Sequence, residues 1–203
     1  MNRHKASCNT SPCFERCAIA VRFLLLFALT CLISILSVKY TEFEQNFDVF
    51  SNYLESFNCD GFFEFINNYI STSKFSFLIL IISSLSTLTF FCSATLHIIS
   101  VFSGLTYGMC IGIGIYSSYA TPLTVFVYLF YIVSFSVIFA IAASSFLNLN
   151  RYILLNQRNT PTPKPYISPI FTTLLSKTAR IFLIYALLHM LFSIAMFLIS
   201  VNN

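Results

Sequence analysis

The chain lacks charge over a stretch where a soluble protein would carry a good deal of it. Between Phe75 and Asn150, 76 consecutive residues include no Asp, Glu, Lys or Arg. A soluble domain of that size has a charged residue at about every fourth position, so this composition excludes one. One helix needs roughly 20 residues to cross the hydrocarbon core, and the run therefore holds three crossings joined by two tight turns. Over all 203 residues, 9% are charged, 57% are hydrophobic and the mean hydropathy is +0.81, which predicts a single integral membrane domain.

Recognisable catalytic and metal-binding patterns are also missing. The sequence has no G-x-S-x-G, H-E-x-x-H or C-x-x-C motif. His97 and Cys110 are too far apart on one helix to form a catalytic dyad. One cluster resembles a set of metal ligands, but its spacings fit no standard zinc site and a flexible cytoplasmic tail is the simpler interpretation. Its members are His4, Cys8, Cys13 and Cys17. We expect no enzyme activity, no metal and no cofactor.

Ionisable residues at membrane depth are a further expected absence. The second apolar segment is rich in hydroxyl groups, which usually bond back to the helix carbonyl one turn earlier. They belong to Ser83, Ser84, Ser86, Thr87 and Thr89. A polar path for a solute normally needs an ionisable side chain at depth as well. We expect none in this chain, which argues against a pump or a proton-coupled transporter.

Five apolar segments predict an all-α bundle of five transmembrane helices. Their predicted bounds are 18–38, 75–91, 98–116, 122–147 and 181–201. The basic start of the chain also resembles a secretory signal. Because no small-x-small cleavage site precedes the polar loop, we expect the first segment to be retained.

The charged residues outside these segments predict the orientation. Six of the seven acidic residues lie between Lys39 and Lys74, whereas nine of the eleven basic residues lie in 1–22 and 151–180. Cytoplasmic loops are enriched in Lys and Arg, so the tail 1–17 and the loop 148–180 are predicted to be cytoplasmic. The loop 39–74 and the C-terminus are then outside. This segregation indicates membrane topology, not nucleic-acid binding.

The predicted external loop contains an amphipathic stripe. Its apolar residues follow a 4-3-4-3 spacing typical of one face of a helix, with acidic residues on the other faces. The candidate surface consists of Phe43, Glu44, Phe47, Asp48, Phe50, Leu54, Glu55 and Phe57. One interpretation is a helix lying on the bilayer. The other is a docking surface for an external partner, which the acidic residues favour because they gain nothing from anionic lipid.

The third segment carries a ridge of small residues that is suited to close helix packing. Gly104, Gly108 and Gly112 are spaced by four, so a second backbone can approach closely along one side. The fourth segment offers a matching ridge of Ser136, Ala140 and Ser144. We predict that these two helices pack on each other. A homo-oligomer formed through the ridge and a substrate path beside the glycines are the alternatives.

Taken in order, these elements resemble the stage II sporulation protein M family of endospore-forming bacteria over most of the chain. The resemblance rests on five crossings in 203 residues and on a Phe-, Ser- and Asn-rich outer loop before the second crossing. The stretch from Val101 to Gly108 is similar to the family's F-x-x-G-x-x-x-G pattern, and the last crossing begins at a basic residue, Arg180. Prolines that the family often has around its third and fourth helices are absent, apart from Pro122.

This resemblance implies a non-enzymatic scaffold in the bacterial cell membrane. The family works with peptidoglycan-degrading partners, stage II sporulation proteins D and P, in septal wall thinning and engulfment of the forespore. The external stripe would be the surface that meets them. The glycine and hydroxyl content of the second to fourth segments supports a different hypothesis, the membrane subunit of a small-solute transporter. An accessory protein of a larger complex is a third.

Overall fold

The computed structural model describes residues 12–40, 62–116, 121–159 and 167–201. These ranges form five helices: α1 Pro12–Tyr40, α2 Phe62–Ser86, α3 Cys92–Tyr116, α4 Pro122–Asn159 and α5 Ile167–Val201. The described part contains no strand. Every helix includes an apolar stretch that is long enough to cross a bilayer. The predicted all-α class and the five membrane-length helices are confirmed.

The helices run beyond the apolar segments that predicted them. α2 begins at Phe62 and ends at Ser86, whereas the prediction was 75–91. Lys74 suggests a membrane boundary but lies at the centre of the helix. Beyond Ser86 the backbone turns, with Thr87 N donating to Ser84 O at 3.2 Å. His97, which falls between the second and third predicted segments, lies inside α3.

The predicted cytoplasmic loop is also largely helical. α4 continues to Asn159 and α5 begins at Ile167, so helix covers most of the range 148–180. The two extensions are packed, because Leu149, Ile153 and Leu174 are buried. Apolar side chains beyond the predicted spans therefore extend the bundle at this end.

α4 is the central helix of the bundle. It contacts each of the other four, and α1, α3, α2 and α5 follow one another around it. Its aromatic side chains Phe135, Phe139 and Phe146 are completely buried. The outward faces are apolar: on α1, for example, Leu25, Leu29 and Leu32 are more than half exposed. An apolar outer surface around a packed core is what a lipid solvent favours.

The glycine ridge of α3 packs against α1, not against α4. The residue numbers of the contacting positions increase together along the two helices, so α1 and α3 run parallel and lie very close to each other. In order, Gly104 meets Phe27 and Thr30, Gly108 meets Cys31 and Ser34, and Gly112 meets Ile35 and Val38. Hydrogen bonds reinforce the pair: Ser100 Oγ donates to Phe23 O at 3.3 Å and Ser34 Oγ donates to Leu105 O at 2.7 Å.

The predicted partner of the glycine ridge is therefore wrong. Ser136 bonds back to Val133 O at 2.7 Å, and Ser144 donates across to Arg16 O of α1 at 2.9 Å. Ala140 is buried. Helix spacing identified both small-residue ridges but could not show which neighbour each one faces. Because α1 covers all three glycines, neither a second copy nor a solute has access to this ridge.

Candidate functional site

The most unusual side chain in the bundle is His189 of α5. Its surface is 0% exposed, although it lies well inside an apolar helix. The expectation that no ionisable residue lies at membrane depth is therefore wrong. Ionisable residues in such positions face the bundle interior and commonly mark functional sites.

Both ring nitrogens of His189 have hydroxyl partners on other helices. Nε2 lies 3.0 Å from Thr72 Oγ1 of α2, and Nδ1 lies 3.1 Å from the Tyr131 hydroxyl of α4. The Thr72 hydroxyl donates to Asn68 O at 2.8 Å, so it accepts from the ring. Nε2 then carries the proton, and Nδ1 accepts from Tyr131.

The hydroxyl network continues beyond the histidine. The Tyr131 and Tyr185 hydroxyls are 2.9 Å apart, and Ser76 Oγ lies 3.5 Å from Tyr131 while also bonding to Tyr107. The Tyr69 hydroxyl donates to Ala186 O at 3.0 Å. We refer to these residues as the His189 cluster. Its members are Tyr69, Thr72, Ser76, Tyr107, Tyr131, Tyr185 and His189.

The His189 cluster joins α2, α3, α4 and α5 at one level. α3 ends nine residues after Tyr107, α4 begins nine residues before Tyr131, and α5 ends twelve residues after His189. At about 1.5 Å of rise per residue, the cluster lies about 13–18 Å from these ends. Half of a typical hydrocarbon core is about 15 Å thick. With these three helix ends at one membrane surface, the cluster lies near the middle of the hydrocarbon core.

Aromatic rings enclose the cluster. Phe192 stacks on Tyr131 with ring centroids 4.3 Å apart, and Phe77 meets Tyr185 edge-on at 4.9 Å. Tyr185 is completely buried. Hydrogen bonds in such a dry environment are strong, and the loss of one partner is costly. One turn along α5, the buried Ser193 hydroxyl has no partner within the described part of the chain.

The residues of the cluster offer hydrogen bonding and, at His189, proton binding. Within the described ranges no group of three metal-ligating side chains comes together. The neighbouring groove between α4 and α5 has a volume of about 400 Å³, and apolar residues such as Phe126, Phe130 and Leu191 line it. A polar solute would find few partners there.

The hydroxyls that the sequence singled out in α2 behave mainly as predicted. Ser83 bonds back to Ile79 O at 2.7 Å, and Ser86 to Ser83 O at 2.8 Å. Ser84 instead reaches across to Thr178 of α5, with the two oxygens 2.8 Å apart. The expected bonding of hydroxyls back to their own helix is confirmed for most of this group. Hydroxyls that are bonded in this way do not form a polar path for a solute.

The candidate external surface, 43–57, lies outside the described residues, as does the cysteine-rich stretch at His4 and Cys8. At the end of the bundle where α1 begins, Glu15 of α1 accepts from Arg151 of α4 at 2.6 Å. This ion pair holds the start of α1 beside the C-terminal part of α4.

Sequence reasoning missed His189, although a signal was present. Tyr185 and His189 are four residues apart, as are Thr72 and Ser76, so each pair lies on one face of its helix. Two polar pairs at helical spacing in facing spans indicate an interhelical cluster.

No protein-family model, curated protein or solved structure matches the chain.

Proposed function

We propose that this protein is a non-enzymatic membrane scaffold that positions other proteins at a bacterial cell membrane. The observation that carries the proposal is the closed state of the His189 cluster. Both ring nitrogens are occupied by hydroxyls of α2 and α4, and the ring is fully buried. Side chains that satisfy one another hold four helices in one arrangement, which suits a rigid platform better than a conduit.

The orientation of the scaffold is part of the proposal. The Glu15–Arg151 pair brings basic residues of α1 and α4 to the same end of the bundle. By the positive-inside rule we assign that end to the cytoplasm. The acidic stripe between Phe43 and Phe57 is then external, where peptidoglycan-degrading partners such as stage II sporulation proteins D and P would meet it.

Charge reversal tests the scaffold function. We expect Glu44→Lys, Asp48→Lys and Glu55→Lys together to reduce capture of those hydrolases by the membrane-inserted protein. Reversal of Lys39 to Glu, at the end of α1 beside the predicted loop, changes charge without altering the acidic stripe. Equal capture by both variants and the wild type would contradict the proposal.

Localisation provides a second test. A fluorescent fusion to the N-terminus should concentrate at the asymmetric septum of sporulating cells and then follow the engulfing membrane. A uniform membrane signal in the same cells would remove the engulfment role.

One observation favours a small-solute transporter as the second candidate. His189 is an ionisable side chain at membrane depth, which coupled transporters commonly contain. Under this alternative, His189→Gln should abolish uptake into proteoliposomes but leave the protein folded. The scaffold proposal expects no solute from a broad panel to accumulate in wild-type vesicles above the level in empty ones.

A further inference from the structure

A lone cation lies at the centre of α2. Lys74 is twelve residues from Phe62 and twelve from Ser86, the two ends of the helix. At about 1.5 Å per residue, each end is about 18 Å away. The position agrees with the depth of the His189 cluster, because Thr72 and Ser76 flank Lys74 in sequence. A lysine side chain spans only part of the distance to either membrane surface.

Lys74 points away from the bundle. Two helical residues correspond to a rotation of roughly 200°, so Lys74 lies opposite Thr72 and Ser76 on α2. Its side chain is exposed, whereas Ser73 and Ser76 are buried. The cation therefore faces lipid or a neighbouring protein, not the His189 cluster.

An apolar stripe surrounds Lys74, interrupted towards the start of α2 by the exposed Asn67 and Ser71. Its residues follow helical spacing and are 43–59% exposed. They are Ile70, Leu78, Ile81 and Leu85. A cation within such a stripe is costly in lipid, since charged side chains at mid-depth are rare and normally pair with an opposite charge or with backbone carbonyls.

The described residues cannot supply that opposite charge. They include two carboxylates, Glu15 and Glu64, which lie in the first turns of α1 and α2. Glu15 is already paired with Arg151. A second copy of the described bundle, in the same orientation, has its carboxylates near helix ends and none at the depth of Lys74.

We propose that the stripe of α2 around Lys74 docks a transmembrane helix of another protein that carries an Asp or Glu near its midpoint. The apolar side chains give the surface for packing, and Lys74 gives the specificity, because a carboxylate removes the cost of the unpaired charge. This inference rests on the proposed scaffold function. It assigns the scaffold a contact within the membrane, separate from the external acidic stripe.

A designed transmembrane peptide tests the docking site in place of the natural partner. The full-length protein, labelled with a donor at its C-terminus, is reconstituted in phosphatidylcholine vesicles. Acceptor-labelled polyleucine transmembrane peptides carry one central Asp, Leu or Lys. Energy transfer should show that the Asp peptide binds the wild type at least about threefold more tightly than the Leu peptide, and the Lys peptide least tightly.

Substitutions at Lys74 identify the residue responsible. Lys74→Leu should remove the preference for the Asp peptide, whereas Lys39→Leu, which removes an exposed cation at the end of α1, should retain it. Lys74→Asp should transfer the preference to the Lys peptide, an inversion that misfolding cannot produce. Equal binding of the three peptides to the wild type, or an Asp preference that survives Lys74→Leu, would overturn the proposal.

The peptide assay is independent of the hydrolase experiment. Failure of hydrolase capture with a positive peptide result would remove the wall-remodelling role but leave the docking site. The reverse result would leave the external stripe as the partner surface and remove the docking role of Lys74.

Discussion

Asn150 of α4 holds the turn between α2 and α3 by donating from Nδ2 to both Thr87 O and Thr89 O, each at 2.8 Å. Asn150 is 5% exposed, and Thr87 is completely buried. We expect Asn150→Leu to leave Thr87 O unpaired, whereas Thr89 O still accepts from Cys92 N at 3.4 Å. The free energy of unfolding should fall by about 1–3 kcal/mol. Reversible denaturation in mixed micelles measures the loss.

Asn148 provides the matched control for these two hydrogen bonds. It lies two residues earlier on the same helix, and its buried Nδ2 has no partner within the described ranges. Asn148→Leu should therefore cost clearly less than Asn150→Leu. Equal losses would mean that the hydrogen bonds of Asn150 contribute little to stability.

The three ridge glycines of α3 should differ in their tolerance of alanine. A Cβ on Gly108 would lie 2.8 Å from Ser34 Cβ and 2.9 Å from Cys31 Cα, so the α1 backbone would have to move. On Gly112 the nearest atoms, Val38 Cβ and Cγ2, are at 3.0 Å and belong to a side chain. We expect Gly108→Ala to cost about 1–3 kcal/mol and Gly112→Ala less, as judged by thermal unfolding in detergent.

A rescue experiment separates packing from other effects of the glycines. Adding Val38→Ala to Gly112→Ala should recover part of the stability, since it removes Val38 Cγ2, one of the two atoms that the new methyl group meets at 3.0 Å. The same Val38→Ala change should not rescue Gly108→Ala. Rescue of both, or of neither, would contradict the register between α1 and α3.

The two described histidines should differ in tautomer. His189 accepts from Tyr131 at Nδ1, so its proton is on Nε2, whereas His97 Nδ1 lies 2.6 Å from Ser93 O and must carry the proton itself. Nitrogen-15 solid-state NMR in lipid on histidine-labelled protein, with His4 replaced by Gln to remove the third histidine, should show an Nε2–H signal from His189 and an Nδ1–H signal from His97. His97→Gln should remove the Nδ1–H signals, and removal of the Nε2–H signals instead would reverse the assignment.

The Thr72–His189 hydrogen bond should give a measurable coupling energy. A double-mutant cycle with Thr72→Val and His189→Leu should yield about 0.6–1.7 kcal/mol, the range found for interhelical hydrogen bonds in membranes. Unfolding free energies in bicelles supply the four values. A coupling near zero would show that the cluster does not hold α2 to α5.

The Glu15–Arg151 pair should contribute much less. Its side chains are 55% and 50% exposed, respectively, so solvent screens their attraction. A cycle with Glu15→Gln and Arg151→Gln should give at most about 1 kcal/mol, falling further as salt is raised. A large coupling that salt leaves unchanged would indicate a buried pair.

The fold class followed from the sequence because apolar length is a direct requirement of the bilayer. The ends of the helices did not follow from it. The charge of Lys74 suggests that a membrane span begins after it, but a helix is held by backbone hydrogen bonds, which one lysine does not break. The partner of Gly108 was equally hidden: spacing reveals a ridge, but the choice between α1 and α4 depends on the three-dimensional order of the helices.

His189 shows a different limit of sequence reasoning. Its neighbours Leu188 and Met190 are apolar, so hydropathy averages conceal it within α5. Its partners Thr72 and Tyr131 lie on two other helices and are more than 50 residues away in sequence. Only their assembly turns isolated hydroxyls and an imidazole into one network.

The parallel contact between α1 and α3 also constrains the order in which the helices can assemble during synthesis. About 75 residues separate Cys31 from Gly108, and α2 is made between the two helices. A nascent chain that stops before Ser100 leaves the grooved side of α1, with Thr30 and Ser34, without its glycine partner. α1 must therefore stay in the insertion machinery or in lipid until α3 has been made. In ribosome-stalled intermediates of increasing length, α1 should become protected from chemical modification only when α3 has emerged.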